Sequence, residues 1–191
     1  MKSAHSTDTK GVTGAARSHI ISRLHKAVKT VKDLLKALEA RSTTGASGID
    51  VLEASAYAMS LAGAEEFEKQ NWEACVKGYS IAWVIYSTLA ASTKSDTFKD
   101  LLSSTIDPNL RYGAYRLRIP RTVAISAVAR KYFPENNSEL VSEIEKVDSS
   151  ILRESSKVKT GAPDSDAVSR TITWRSRTVE LEDASIAVAL E

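Results

Sequence analysis

The chain has 191 residues, 42% apolar and 26% charged, with a net charge of +2, a balance that fits one soluble globular domain with room for a tail. Its single cysteine, Cys75, excludes an internal disulfide and suits a reducing, cytoplasmic compartment, and His5, His19 and His25 have no metal-ligand spacing. The longest apolar run, residues 79–91, is far short of the ~20 residues a membrane span needs, and no secretory h-region follows Met1, so no membrane insertion is expected.

Residues 1–16 are rich in Ser, Thr and Gly and are expected to be disordered. Residues 18–41 follow with a clear amphipathic pattern: Ile20, Leu24, Val28, Val31, Leu35 and Leu38 recur at helical steps, with Arg23, Lys26, Lys29, Lys32 and Lys36 on the other half. A flexible connection over 42–48 leads to residues 50–92, which predict a helical hairpin turning at Lys69-Gln70-Asn71. Asp50 with Glu53 reads as the first capping box, and Asn71 as the cap of the second helix. That second helix is apolar on nearly every side, through Cys75, Val76, Tyr79, Ala82, Trp83, Ile85, Tyr86 and Leu89, which predicts a buried central element.

A short helix over 95–105 should turn Phe98, Leu101 and Leu102 inward. Asp107-Pro108 predicts a fresh helix start, with Leu110, Gly113, Ala114 and Leu117 on one side, and Pro120 a break before a helix over 122–133. Asn136 with Glu139 resembles a further cap, opening a last helix striped by Leu140, Val141, Ile144, Val147, Ile151 and Leu152. The helical domain is thus expected over 17–154, a linker over 155–171 and an extended or partly ordered tail over 172–191, with TITWRSRTVEL as one extended segment.

Catalytic chemistry is hard to find. No phosphate-cradling Gly-rich loop and no Gly-x-Ser-x-Gly elbow is present, and the adjacent Glu65 and Glu66 do not face each other on a helix. The expectation is a non-enzyme without cofactors. Charge is informative through its layout. Residues 17–41 carry seven basic residues against two acids, and residues 107–131 carry six against one. Two such segments on a near-neutral chain predict a polarised surface.

The hairpin itself resembles one degenerate tetratricopeptide repeat, through Gly63, Trp72, Cys75, Tyr79 and Ala82, with no second copy at a ~34-residue period. The expected architecture is all-α: a tetratricopeptide-like hairpin packed with flanking helices, and a short extended C-terminal segment. A closer resemblance joins three ordered stretches: residues 17–28 (RSHIISRLHKAV), residues 52–76, and residues 107–115 (DPNLRYGAY). Together they resemble the RNA-binding domain of the sixty-eight-kilodalton protein subunit of the eukaryotic signal recognition particle.

That resemblance implies a helical, repeat-like domain that binds the particle RNA near a three-way junction, takes part in co-translational targeting and reaches the ribosome indirectly. It implies cytoplasmic residence, with a nucleolar stage during assembly, and a seventy-two-kilodalton partner subunit held through a region this sequence does not match. The family's arginine-rich helix before Arg17 is likewise unmatched by residues 1–16, which suggests a fragment or trimmed domain.

The residues make a separate case. Arg17, Arg23, Lys26 and Lys29 could follow a phosphate backbone, while Arg111, Arg116, Arg118 and Arg121 bracket a helix break beside Tyr112 and Tyr115. Arginine can fork to phosphate, and tyrosine can stack on an unpaired base. The plainer alternative has these charges solvating helices and pairing with acids, and the tyrosines in the core. A rival function is a protein-interaction module whose groove clamps an acidic peptide or a partner subunit.

Overall fold

The computed structural model describes residues 14–93, 95–134, 138–147, 171–174 and 177–180. Among them helices build the body, in the order α1 (Gly14–Glu39), a single turn α2 (Arg41–Thr44), α3 (Gly48–Lys69), α4 (Trp72–Thr93), α5 (Asp96–Leu101), α6 (Asp107–Arg116), α7 (Ile125–Tyr132) and α8 (Ser138–Val147). Of the stretch 1–16 expected to be disordered, residues 14–16 instead open α1; its remainder, the linker up to residue 170, the end of the tail, and the Asn136 cap with Ile151 and Leu152 lie outside the described residues.

Helix α4 is the centre, as its all-round apolar pattern predicts. Cys75, Val76, Ala82, Val84, Ile85 and Leu89 are fully enclosed, and α3, α5, α6, α7 and α8 all pack on it. Buried Leu52 and Ala56 of α3 carry the predicted inner face, with Met59 and Phe67 against the same core. Close approach at the α3–α4 seam depends on glycine. A Cβ on Gly63 would stand 2.9 Å from the Tyr79 ring, and one on Gly78 would meet the backbone of Gly63 at 3.1 Å. Helix α6 uses the same device, since a Cβ on Gly113 would come within 2.7 Å of Val76.

Two predicted caps fall elsewhere. Helix α3 begins one turn earlier than expected, at a capping box in which Ser47 Oγ accepts from Asp50 N and Asp50 Oδ2 accepts from Ser47 N at 2.8 Å. The Ser47 hydroxyl, which donates to Asp50 Oδ2 at 2.8 Å, and then the Ser47 N–H hold the Asp50 carboxyl below its ordinary pKa. At the hairpin turn Gln70 takes the left-handed conformation (φ 63°), the Gln70 N–H donates to Phe67 O and the Asn71 N–H to Glu66 O. This is a Schellman closure with glutamine in the place glycine favours. The Asn71 carbonyl accepts from Cys75 N–H, and its side-chain amide donates to Glu66 at 2.8 Å instead of capping α4.

Asp107-Pro108 is no fresh start. Helix α5 runs into α6 through a π-helical turn, Leu102–Ile106, whose widened bonding has Asp107 N donating to Leu102 O. Proline inside a helix collides with the carbonyl four residues back, here Ser104, and the loosened turn gives that carbonyl room. Released from capping, Asp107 accepts from Trp83 Nε1 at 2.9 Å and ties α6 to α4. Burial raises the Asp107 pKa, against the pull of the Trp83 bond and the Arg111 charge. Helix α7 begins at Ile125, three residues after the predicted start, because Val123 closes a turn on Pro120 O. Helix α7 buries Val128 and Ala129, and Phe133 just past its end is buried too, with Ile144 from α8.

Near the C-terminus the single extended segment predicted from composition is instead two strands. Thr171–Trp174 pairs antiparallel with Arg177–Glu180, Thr171 opposite Glu180.

Candidate nucleic-acid interface

Helix α1 rests chiefly on α3, with Ile20, Val28 and Val31 buried. That leaves Arg23, Lys26 and Lys29 exposed, and their side chains make no ion pair among the described residues. Arg17 behaves differently. It is half-buried, and its Nε lies 3.9 Å from Glu68 Oε2, an ion contact longer than a hydrogen bond. Further along α1, His25 Nδ1 stands 3.0 Å from Glu65 Oε1, which Lys69 also reaches at 2.8 Å. Burial pushes the Glu65 pKa up, but the bonds and charges of Lys69 and His25 outweigh it, so Glu65 titrates below its ordinary value. Part of the basic segment is therefore locked to acids, as the plainer reading expects, and part is open.

In the second basic segment two arginines are engaged by uncharged groups of the fold. Arg111 is half-buried and donates to Val123 O at 2.8 Å, tying α6 to the chain entering α7. Arg116 lies over the Trp72 ring, 4.5 Å from its centroid, and donates to Tyr112 Oη at 3.3 Å. Arg118 is exposed and left-handed (φ 60°), and its N–H donates to Tyr115 O in a second Schellman closure that ends α6. Arg121 is exposed in the loop beyond.

The tyrosines are not core residues. Tyr112 is 42% and Tyr115 64% exposed. Their rings continue a series that sequence reading did not assemble: Phe67 lies 5.3 Å and Trp72 5.6 Å from Tyr112, and Tyr115 lies 6.4 Å beyond. Trp72 stood out in the sequence only as the aromatic after the hairpin turn, and nothing local linked it to residues forty positions later.

These contacts fix the relation between the two basic segments. Arg17 near the start of α1 reaches Glu68, and Tyr112 midway along α6 reaches Phe67, consecutive residues in the last turn of α3. Both segments thus have a residue at one end of the α3–α4 hairpin. No group of three potential metal ligands occurs among the described residues, and no helix there is long and apolar enough to cross a membrane. Cys75 is no nucleophile: burial pushes its thiol up to about 12.

A helical body that offers cationic and aromatic side chains, without a catalytic constellation, has the makings of a recognition domain. The chain belongs to the family described as RNA-binding signal recognition particle 68, whose model matches residues 1–191. It is 29% identical over 182 residues to the signal recognition particle subunit srp68 of Schizosaccharomyces pombe, a match covering 91% of this chain and 29% of that protein. The SRP68-RBD of Chaetomium thermophilum is similar in structure, with 52% sequence identity and a TM-score of 0.58 over 68% of this chain and 59% of that one. The chain therefore spans less than a third of the fission-yeast relative's length.

Proposed function

We propose that the chain grips the RNA of the signal recognition particle near its three-way junction. The presence of a residue from each basic segment at one end of the α3–α4 hairpin carries this reading. Arg23, Lys26 and Lys29 supply phosphate contacts along α1, and Arg118 and Arg121 supply them past α6; Arg17, Arg111 and Arg116 contribute through the elements they hold in place. Phosphate contacts position the domain without reading sequence, so discrimination falls to RNA shape and unpaired bases. In this reading α3 and α4 act as a tetratricopeptide-like unit, closed at the glycine seam, and the domain serves a longer cytoplasmic subunit. Its seventy-two-kilodalton partner and the ribosome engage other parts of the assembly.

The test is fluorescence anisotropy of the protein with a junction fragment of particle RNA and, separately, an acidic peptide. Five phosphate contacts imply a loss of RNA affinity of roughly a hundred- to five-hundredfold between ~50 and ~200 mM salt. Arg23→Glu with Lys26→Glu should weaken RNA binding at low salt and flatten its salt dependence while circular dichroism stays unchanged. A salt-independent affinity, or tighter binding of the peptide, overturns the proposal in favour of a protein partner.

A further inference from the structure

We infer that Tyr115 and Tyr112, backed by Trp72, form a platform on which one unpaired, extruded base of a bound RNA stacks. The inference rests on the RNA reading above and adds a contact that phosphate gripping does not need. Helix α6 buries Leu110, Gly113 and Ala114, whereas Tyr115 is 64% exposed and Tyr112, packed on Phe67 and Trp72, still leaves 42% open. A lone exposed tyrosine calls for no explanation. Here, however, the two open rings continue a packed series that runs inward through Trp72 and Phe67.

The series is fixed in place before any ligand arrives. The Arg116 guanidinium covers Trp72 and donates to the Tyr112 hydroxyl, so it clamps two of the rings together. Arg116 is thus a positioning residue, its charge already engaged by the indole face. Arg118, exposed three residues beyond Tyr115, donates its backbone N–H to Tyr115 O, so its cationic side chain leaves the chain from the turn that follows the outermost ring. A ring face with a cation in the turn that follows matches a nucleotide, whose base and phosphate are joined at that scale. Bases within a duplex are covered on both faces, so the platform selects unpaired over paired nucleotides and any base can serve. Exposed aromatic rings also suit proline-rich peptides, but those carry no anion for Arg118.

The probe is a short single-stranded RNA bearing one 2-aminopurine, whose fluorescence falls on stacking, titrated beside the junction RNA. Quenching is expected with wild type and with Tyr115→Phe. Tyr115→Ala, a surface change checked by circular dichroism, should abolish the quench and weaken probe binding by about five- to a hundredfold. Lys26→Glu should weaken junction-RNA binding and leave the quench at saturation. Salt-dependent junction binding with no quench, or with Tyr115→Ala equal to wild type, overturns the platform and leaves the grip intact. Quenching without junction binding does the reverse. Displacement of the probe by a proline-rich peptide at equal concentration would assign the rings to a peptide and also overturn the inference.

Discussion

Gly63→Ala tests the tightest seam in the fold. In an ordinary helix interior this change stabilises by about 1 kcal/mol, because alanine loses less backbone freedom on folding. Here the new Cβ would stand 2.9 Å from Tyr79 Cδ2 and 3.1 Å from Cγ and Cε2. The ring is only 3% exposed and has no open side to turn toward. Overpacking of this kind costs about 1–3 kcal/mol, so the net expectation is a loss of about 1 kcal/mol. In a Tyr79→Leu background the ring edge is gone and the same substitution should regain its ordinary benefit, which gives a coupling of about 2 kcal/mol between the sites. Gly78→Ala is the control: its Cβ would meet backbone atoms of Gly63 and Met59, so Tyr79→Leu should not rescue it. Urea unfolding followed by far-ultraviolet circular dichroism, with unchanged m-values, measures all of these. If Gly63→Ala stabilises the protein while Tyr79 is present, or the double change is additive, the seam does not depend on that ring.

The remaining predictions concern turns and ionised groups. Gln70→Gly should stabilise by about 1 kcal/mol in the same assay, because the position is left-handed and only glycine enters that region without steric cost. Since the folded-state pKa of Glu65 is lowered, its contribution is present above the unfolded value, ordinarily 4.5, and is lost as pH falls through the lower folded value. Glu65→Gln should therefore flatten the acid limb of a stability-pH curve. Asp107 has the opposite sign: its raised pKa means that ionisation opposes folding as pH climbs from the unfolded value through the folded one. Trp83→Phe removes the donor to that carboxylate and should cost about 1–3 kcal/mol at neutral pH, less once Asp107 is protonated, with the Asp107 titration moving further upward by carbon-detected magnetic resonance.

Much of the helical body was legible in the chain. Helices α1, α3 and α4 follow their apolar spacing because each buries a face or, for α4, nearly its whole circumference. Misreadings cluster where one signal had two possible placements. Ser47 and Asp50 have the same spacing as a serine–glutamate box, yet Asp50 and Glu53 attracted the assignment because they adjoin the apolar run. Asp107-Pro108 carries the composition of a helix start, and only the preceding π-helical turn lets the helix continue through it. The candidate interface was half legible. Basic residues on α1 announce themselves by periodicity, but whether each is open depends on acids far away in sequence, as Arg17 and Glu68 illustrate. The aromatic series could not be read at all, because Tyr112 meets Phe67 and Trp72 only after three helices have packed.

Helix α1 touches the rest of the body along little more than one flank, through three buried aliphatic side chains and a few ionic contacts to α3. An element fastened on one side can peel away while α4 and its surrounding neighbours stay assembled. Its amides should accordingly trade protons for deuterium well ahead of those in α4. A polyanion laid along its outer face would then act as a splint, slowing that exchange from the edge of the molecule inward.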